Sequence, residues 1–260
     1  MNRVNLEAYF ERIRYDGPAE STVDVLRALH EAHLAAIPFE NLDILLGRAI
    51  VLDVETLQRK LVAERRGGYC FEQNTFFSAV LESLGFRVTP LAARVRVGTT
   101  SVRARTHMLL RVDVGADSFV VDVGFGADGP LHPLPLEVGV VSGHHRLRRE
   151  KDVWVLEGTA ERSWMDLYAF TLEPHYPVDF EMANYYTSTH PESPFVQNLT
   201  AQRNRQGERA ILRNRELVVS DHFRTRATET VRDPEHLLEI LELHFRLRFP
   251  AGTRFARPPF

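Results

Sequence analysis

Apolar positions in the first third of the chain recur at steps of three and four. From Asn5 to Ile13 they predict a short amphipathic helix. From Ser21 to Ala36 they set Val23, Leu26, Leu29, His33 and Ala36 on one face of a longer one. Pro38 ends this second helix, because its ring lacks an N–H and constrains Ile37 before it. A third helix is expected from Val54 to Val62. A fourth, from about Cys70 to Leu84, buries Phe76, Phe77, Val80, Leu81 and Leu84 and stops at Gly85. The period then changes. Residues 86 to about 172 alternate with period two, broken by Gly, Asp and Pro, as in an antiparallel sheet or barrel. From about Pro191 strand-like runs precede one terminal helix, started by Asp233-Pro234 and striped by Leu238, Leu241 and Phe245. Helices, then antiparallel strands, then a smaller mixed element make an α+β fold and not a doubly wound one.

Composition narrows the function classes. The 260 residues are 44% hydrophobic and 26% charged, which excludes a disordered chain, and no apolar run is long enough to span a bilayer. The N-terminal segment mixes charge with apolar residues and does not read as a signal peptide, so a cytoplasmic protein without membrane partners is expected. A formal charge of −3 argues against general nucleic-acid binding. Of the 32 basic residues only Lys60 and Lys151 are lysines, which codon bias explains most simply. Arginine is dense between Arg203 and Arg226, where the alternation predicts the solvated face of short strands; a phosphate contact is the sharper alternative. Cys70 stands alone, so no internal disulfide and no thiolate-clustered metal site can form. His30 and His33 lack an accompanying carboxylate motif, no metal is expected there, and His144-His145 reads as an exposed loop.

The chemistry concentrates in Arg66-Gly67-Gly68-Tyr69-Cys70-Phe71-Glu72-Gln73-Asn74. Two glycines permit a tight or left-handed turn, and the thiol follows at a helix start, where the dipole favours thiolate and free N–H groups can hold an oxyanion. An inert core cysteine is the plain alternative. His107 gains interest from Asp122, a carboxylate inside the apolar run 119–123. The segments 106–113 and 118–123 flank a hairpin turn. With a two-residue turn at Val114-Gly115, His107 lies directly opposite Asp122. Burying that carboxylate is costly unless it is paired, and an imidazole N–H suits it. Cys70, His107 and Asp122 would then be nucleophile, base and orienter for acyl transfer, in the arrangement of the cysteine proteases. Gly124-Phe125-Gly126 is too short for a dinucleotide fingerprint and reads as a turn that approaches a ligand.

These residues resemble the arylamine N-acetyltransferases. The cysteine block, Thr106-His107, and Val121-Asp122-Val123-Gly124-Phe125-Gly126 are similar to that family's three catalytic blocks, in order. Residues 37–42, 170–174 and 188–195 add further likeness. The resemblance implies a helical bundle (1–86), a central antiparallel β-barrel (87–190) and a C-terminal α/β lid (191–260). It implies ping-pong acetyl transfer from acetyl-coenzyme A, a cosubstrate and not a tightly bound cofactor, to an arylamine, hydrazine or arylhydroxylamine. Phe39, Val95, Thr106, Phe125, Gly126 and Phe195 match substrate-pocket positions. Arg12, Glu40 and Arg66 match charged positions that brace the bundle. Thr75 and Ala127 replace glycines of the family pattern and are expected to narrow the pocket. The chain ends at Phe260, from which a trimmed lid is expected; this motivates a second reading, an amide synthase fed by a polyketide carrier thioester. A homodimer stays open.

Overall fold

A computed structural model describes residues 4–99, 101–160, 163–221 and 224–257. The first third is helical, as its pattern requires. Helices α1 (Leu6–Ile13) and α2 (Val23–Ala36) start where Asn5 and Thr22 accept the Ala8 and Val25 N–H groups. A two-residue strand β1 (Phe39–Glu40) follows, then α3 (Leu42–Leu45) and α4 (Val54–Gln58). The last of these runs into a π-helical turn at Arg59–Ala63, so the expected third helix widens before it ends. Helix α5 (Cys70–Ser83) is buried over most of its circumference.

The central sheet comprises β2 (Arg87–Val95), β3 (His107–Val114), β4 (Asp117–Val121), β5 (Leu134–Pro135), β6 (Val141–Ser142), β7 (His145–Glu150), β8 (Val153–Ala160) and β9 (Ser163–Phe170). All pairings are antiparallel, in the order β5-β4-β3-β2-β9-β8-β7-β6. An isolated bridge between Val138 and Leu147 brings the β5 end towards β7, so the sheet curls almost into a barrel. Its interior holds Leu91, Leu109, Val120, Leu134, Leu147, Leu156, Leu167, Tyr168 and Phe170, and its outer face on β2 and β3 packs against α5.

After the barrel come α6 (Pro177–Thr189) and α7 (Pro194–Gln197), then β10 (Thr200–Arg205), β11 (Glu208–Arg213), β12 (Glu216–Ser220), β13 (Thr225–Thr230) and α8 (Pro234–Phe245). Helix α8 starts as predicted, with Asp233 accepting the His236 N–H and Pro234 in the first turn. Helix α6 was not expected. Its apolar residues do not segregate to one face, so no stripe marks it. The last sheet runs β1-β10-β11-β12-β13, so a strand from the first third of the chain completes it.

The arginines of this sheet divide. Arg213, Arg224 and Arg226 are exposed as predicted. Arg203 is buried against Glu208, and Arg209 bonds Asp128 across to the barrel, so neither lies on a solvated face. His145 departs from expectation too: it is buried, with Nε2 2.8 Å from the Asp128 carbonyl.

Candidate active site

Cys70 is the first residue of α5, and the two glycines before it are there for space. Neither takes a left-handed φ. Instead, a Cβ on Gly67 would stand 2.1 Å from the Pro38 carbonyl oxygen, and one on Gly68 would strike Glu72. The chain passes so closely because the Gly68 N–H donates to the Pro38 carbonyl and the Gly68 carbonyl accepts the Glu40 N–H, beside β1. Glu72, in the first turn, accepts the Tyr69 N–H at 3.1 Å and fixes the helix start.

His107 opens β3, and Asp122 follows the last residue of β4. The turn between these strands is Gly115-Ala116, one residue later than predicted, and it pairs Val114 with Asp117. His107 and Asp122 still share a face, because the register keeps its parity. They are diagonal neighbours and not direct partners. The imidazole bridges the offset: Nε2 lies 2.7 Å from Asp122 Oδ2, with both side chains almost completely buried. That bond leaves Nδ1 for the side where Cys70 sits. The Cys70 sulfur itself is 3.7 Å from the Thr106 carbonyl oxygen, to which the thiol donates.

Three donors converge on the Asp122 carboxylate. Besides His107, Asn74 Nδ2 donates to Oδ1 at 3.0 Å and the Gly124 N–H at 2.9 Å. Burial favours the protonated acid, but the His107 charge and these bonds outweigh it and hold Asp122 below the usual carboxylate range. His107 moves the other way. Burial favours the neutral ring, yet the Asp122 charge and hydrogen bond, with the Cys70 sulfur adding to them, raise it to about 10. The site therefore favours a ring that holds the proton taken from Cys70, as an imidazolium paired with Asp122 beside the sulfur.

Above it opens a cavity of about 320 Å³. Phe39, Val95, Thr106, Phe125 and Phe195 line it, together with Cys70 and His107. Gly126 lies outside the lining. It turns the chain with φ +86°, and the next N–H, of Ala127, donates to Gln202 Oε1 at 2.9 Å. Thr75 and Ala127 do not line the cavity either, so their expected narrowing of it does not occur. Thr75 faces Met108 on the other side of α5.

A family model for N-acetyltransferases matches residues 22–253. An arylamine N-acetyltransferase of Mycobacterium tuberculosis is 41% identical over a 239-residue alignment that covers 88% of this chain and 83% of that protein. The chain belongs to the arylamine N-acetyltransferase family. The structure of the Salmonella typhimurium arylamine N-acetyltransferase matches with a TM-score of 0.89 at 36% identity, over 94% of this chain and 92% of that one. That of the Mycobacterium marinum arylamine N-acetyltransferase in complex with CoA matches with a TM-score of 0.88 at 37% identity, over 94% and 93%.

At the other charged positions matched to the family, all three side chains are buried and tie parts of the bundle together. Arg66 and Glu40 form a buried pair at 2.7 Å, whereas Arg12 gives its Nε to the Leu61 carbonyl at 2.9 Å, joining α1 to the π-helical turn. His30 and His33 are satisfied core histidines. His33 contacts the Tyr9 hydroxyl at 2.9 Å and Gln73 at 3.1 Å, while His30 contacts the Leu131 carbonyl at 3.0 Å. Burial lowers them to about 3 and about 4, so both stay neutral. Among the described residues no group of His, Cys, Asp or Glu could hold a metal ion.

Sequence reasoning missed Asn74, Tyr168, Asn41 and the α6–α7 segment. Tyr168 packs its ring 4.9 Å from His107, and burial and the Asp122 charge hold its phenol well above the ordinary range. Asn41 donates to the Phe195 and Asn198 carbonyls, at 2.7 Å each, and so seats Phe195 over the cavity. Asn74 and Asn41 were both visible as polar residues within the matched blocks. Tyr186, Thr187 and Pro194 reach the cavity from α6 and α7, which carry no periodic signal.

Proposed function

We propose that this acetyltransferase works by a ping-pong mechanism through an acetyl thioester on Cys70. His107 takes the thiol proton through Nδ1. Asp122 holds the ring by its Nε2–H and supports its positive charge. The sulfur attacks the acetyl carbonyl of acetyl-coenzyme A, a new S–C bond forms, and the coenzyme A thiolate leaves with a proton from His107. In the second half, an arylamine, hydrazine or arylhydroxylamine attacks the thioester, His107 accepts its proton, and the Cys70 sulfur leaves. Acetyl-coenzyme A is thus a cosubstrate, and the CoA complex of the Mycobacterium marinum relative supports that donor.

The observation that carries this reading is the 2.7 Å His107–Asp122 bond buried beside Cys70 beneath an aromatic-walled cavity. Phe39, Phe125 and Phe195 suit a flat apolar acceptor, with Val95 and Thr106 completing the wall and Gly126 shaping the turn beneath. In this reading residues 1–86 carry the nucleophile, 87–190 the base and its orienter, and 191–260 the lid. No described helix is long and apolar enough to cross a membrane, and we read the enzyme as cytoplasmic, acting on small molecules without nucleic acid.

The test is intact mass after brief exposure to acetyl-coenzyme A without acceptor, beside a Cys70→Ala control. One acetyl adduct in the parent alone, discharged by an aniline or a hydrazine, is expected. An adduct on the Cys70→Ala protein refutes the nucleophile. No adduct on a Cys70 that still reacts with iodoacetamide moves the donor to another acyl thioester, such as that of a carrier protein.

A further inference from the structure

A second concentration of charge lies beneath the start of α5, away from the cavity. Glu40, Asp43, Lys60, Arg66 and Glu72 are all buried there. Lys60 Nζ lies 2.6 Å from Glu72 Oε1 and 2.7 Å from Asp43 Oδ2. Arg66 reaches Glu40 at 2.7 Å and Asp43 at 3.2 Å, and its guanidinium lies 4.5 Å from the centre of the Phe249 ring. Arg48, 61% exposed, touches Asp43 from the rim at 3.1 Å. Three buried carboxylates therefore share two buried cations. This negative excess acts on both ends of the central pair. Burial disfavours the Lys60 ammonium, yet Glu72, Glu40 and Asp43 hold it above the ordinary lysine range. Burial and the Glu40 charge push Glu72 up, with Lys60 opposing them.

Glu72 also closes the first turn of the helix that begins with Cys70. A carboxylate there is useful as a cap but opposes negative charge on a sulfur two residues away, unless a cation neutralises it. The residue that does so is unusual for this chain. Thirty of its 32 basic residues are arginines, and yet an ammonium stands at position 60. A compact ammonium with three rotatable donors fits between two carboxylates at 2.6 and 2.7 Å in a close-packed interior, where a planar guanidinium needs more room. The π-helical turn at Arg59–Ala63 is what carries Lys60 inward, and Arg12 holds that turn through the Leu61 carbonyl.

We propose that Lys60 is a positioning residue for Cys70: it neutralises Glu72, so that this carboxylate caps the helix without opposing a thiolate at its first residue. The proposal rests on reading Cys70 as the nucleophile. The charged and titratable groups around Glu72 are Lys60, Glu40, Asp43, Arg66 and Tyr69; those around Cys70 are His107, with Asp122 behind it, Tyr69 and Glu72.

The experiment is the pH dependence of Cys70 alkylation by iodoacetamide in the parent, Lys60→Met, Glu72→Gln and the double variant. Lys60→Met is expected to move the profile to higher pH and slow alkylation at pH 7 by about tenfold. Glu72→Gln, whose amide oxygen can still cap Tyr69, moves it to lower pH. The double variant returns to within about twofold of the parent, since both charges are gone. A Lys60→Met profile that overlays the parent's overturns the proposal, as does a double variant displaced as far as Lys60→Met. Where Lys60→Met does not fold, Glu72→Gln decides: a profile unmoved, or moved to higher pH, overturns it. Acetylation of the parent separates the two readings. An acetyl adduct on Cys70 with unmoved profiles removes the role of Lys60 alone, whereas shifted profiles without an adduct remove the acetyl-transfer reading alone.

Discussion

Replacing Asp122 with Asn tests the orienting role most sharply, because the structure dictates which way the amide must turn. Asp122 Oδ1 already accepts from Asn74 Nδ2 at 3.0 Å and from the Gly124 N–H at 2.9 Å. In Asp122→Asn the carbonyl oxygen must keep that place, so the NH₂ group faces His107 Nε2. Donor then meets donor unless His107 gives up its Nε2 proton and carries one on Nδ1, towards Cys70. That tautomer cannot take the thiol proton. The magnitude follows from His107, whose rise from 6.5 to about 10 corresponds to roughly 5 kcal/mol of support for the imidazolium. Part of that support comes from the Cys70 sulfur, so the share lost with the Asp122 charge is about 3–4 kcal/mol, or roughly 10²–10³ in acylation rate. The assay is single-turnover acetylation of Cys70 at neutral pH, with near-ultraviolet circular dichroism to establish that the fold is retained. An Asp122→Asn protein that acetylates within fivefold of the parent would refute the argument.

Four further outcomes follow from the same geometry. The His107 proton is held more tightly in the folded state than in the unfolded one, so its stabilisation is complete below about pH 6.5 and is lost as pH rises through about 10; the Tm gap between the parent and His107→Gln should shrink over that window, and a constant gap contradicts it. Gly124→Ala places a Cβ 2.6 Å from Asn74 Nδ2 and 2.7 Å from the Cys70 Cα, so about 1–3 kcal/mol of stability and most of the acetylation rate should be lost; near-parental kcat and urea midpoint would be the contrary result. Asn74→Ala strips partners from the Met108 carbonyl, the Val123 N–H and Asp122 Oδ1, and should cost about 2–4 kcal/mol in urea unfolding together with a fall in kcat. Phe195→Ala removes a ring that meets both Phe39 and Tyr69 and opens the cavity wall; kcat/KM should fall for aniline and rise relative to it for an aminonaphthalene, and an unchanged ratio would place Phe195 outside the acceptor's reach.

What the sequence disclosed was what local physics controls. Asp233 caps α8 by bonding the His236 N–H three residues on, and such a bond needs no tertiary partner. The shared face of His107 and Asp122 was legible because it depends only on parity, which a two-residue hairpin keeps. Their diagonal placement was not, since it depends on which two residues form the turn. Helix α6 escaped notice because its buried side is defined by what it meets: Asn184 contacts the Tyr69 hydroxyl and the Ile50 carbonyl, and Phe180 packs on Phe71. Gly67 and Gly68 were legible as glycines with a purpose, but the purpose is the closeness of Pro38 and Glu72, which only the assembled fold displays.

Asn74 explains how two separately built halves meet in a fixed register. Cys70 belongs to a helix; His107 and Asp122 belong to a sheet packed against it. Their spacing would drift with any slip of one layer over the other, and apolar packing alone resists such slips only weakly. Asn74 lies four residues after Cys70, hence on the same face of α5. From there its amide reaches the sheet three times: to the Met108 carbonyl at 2.8 Å, to Asp122 Oδ1 at 3.0 Å and from the Val123 N–H at 3.1 Å. Met108 follows His107, and Val123 follows Asp122. The helix that presents the sulfur is thereby bonded to the strand carrying His107 and to the chain carrying Asp122, each within one residue of the group concerned. Directional bonds at that depth fix register as well as contact, because a displaced amide would leave three buried polar groups unpaired. A fixed separation between sulfur and imidazole is therefore a property of the helix–sheet joint, with His107 and Asp122 supplying the charge that the joint holds in place.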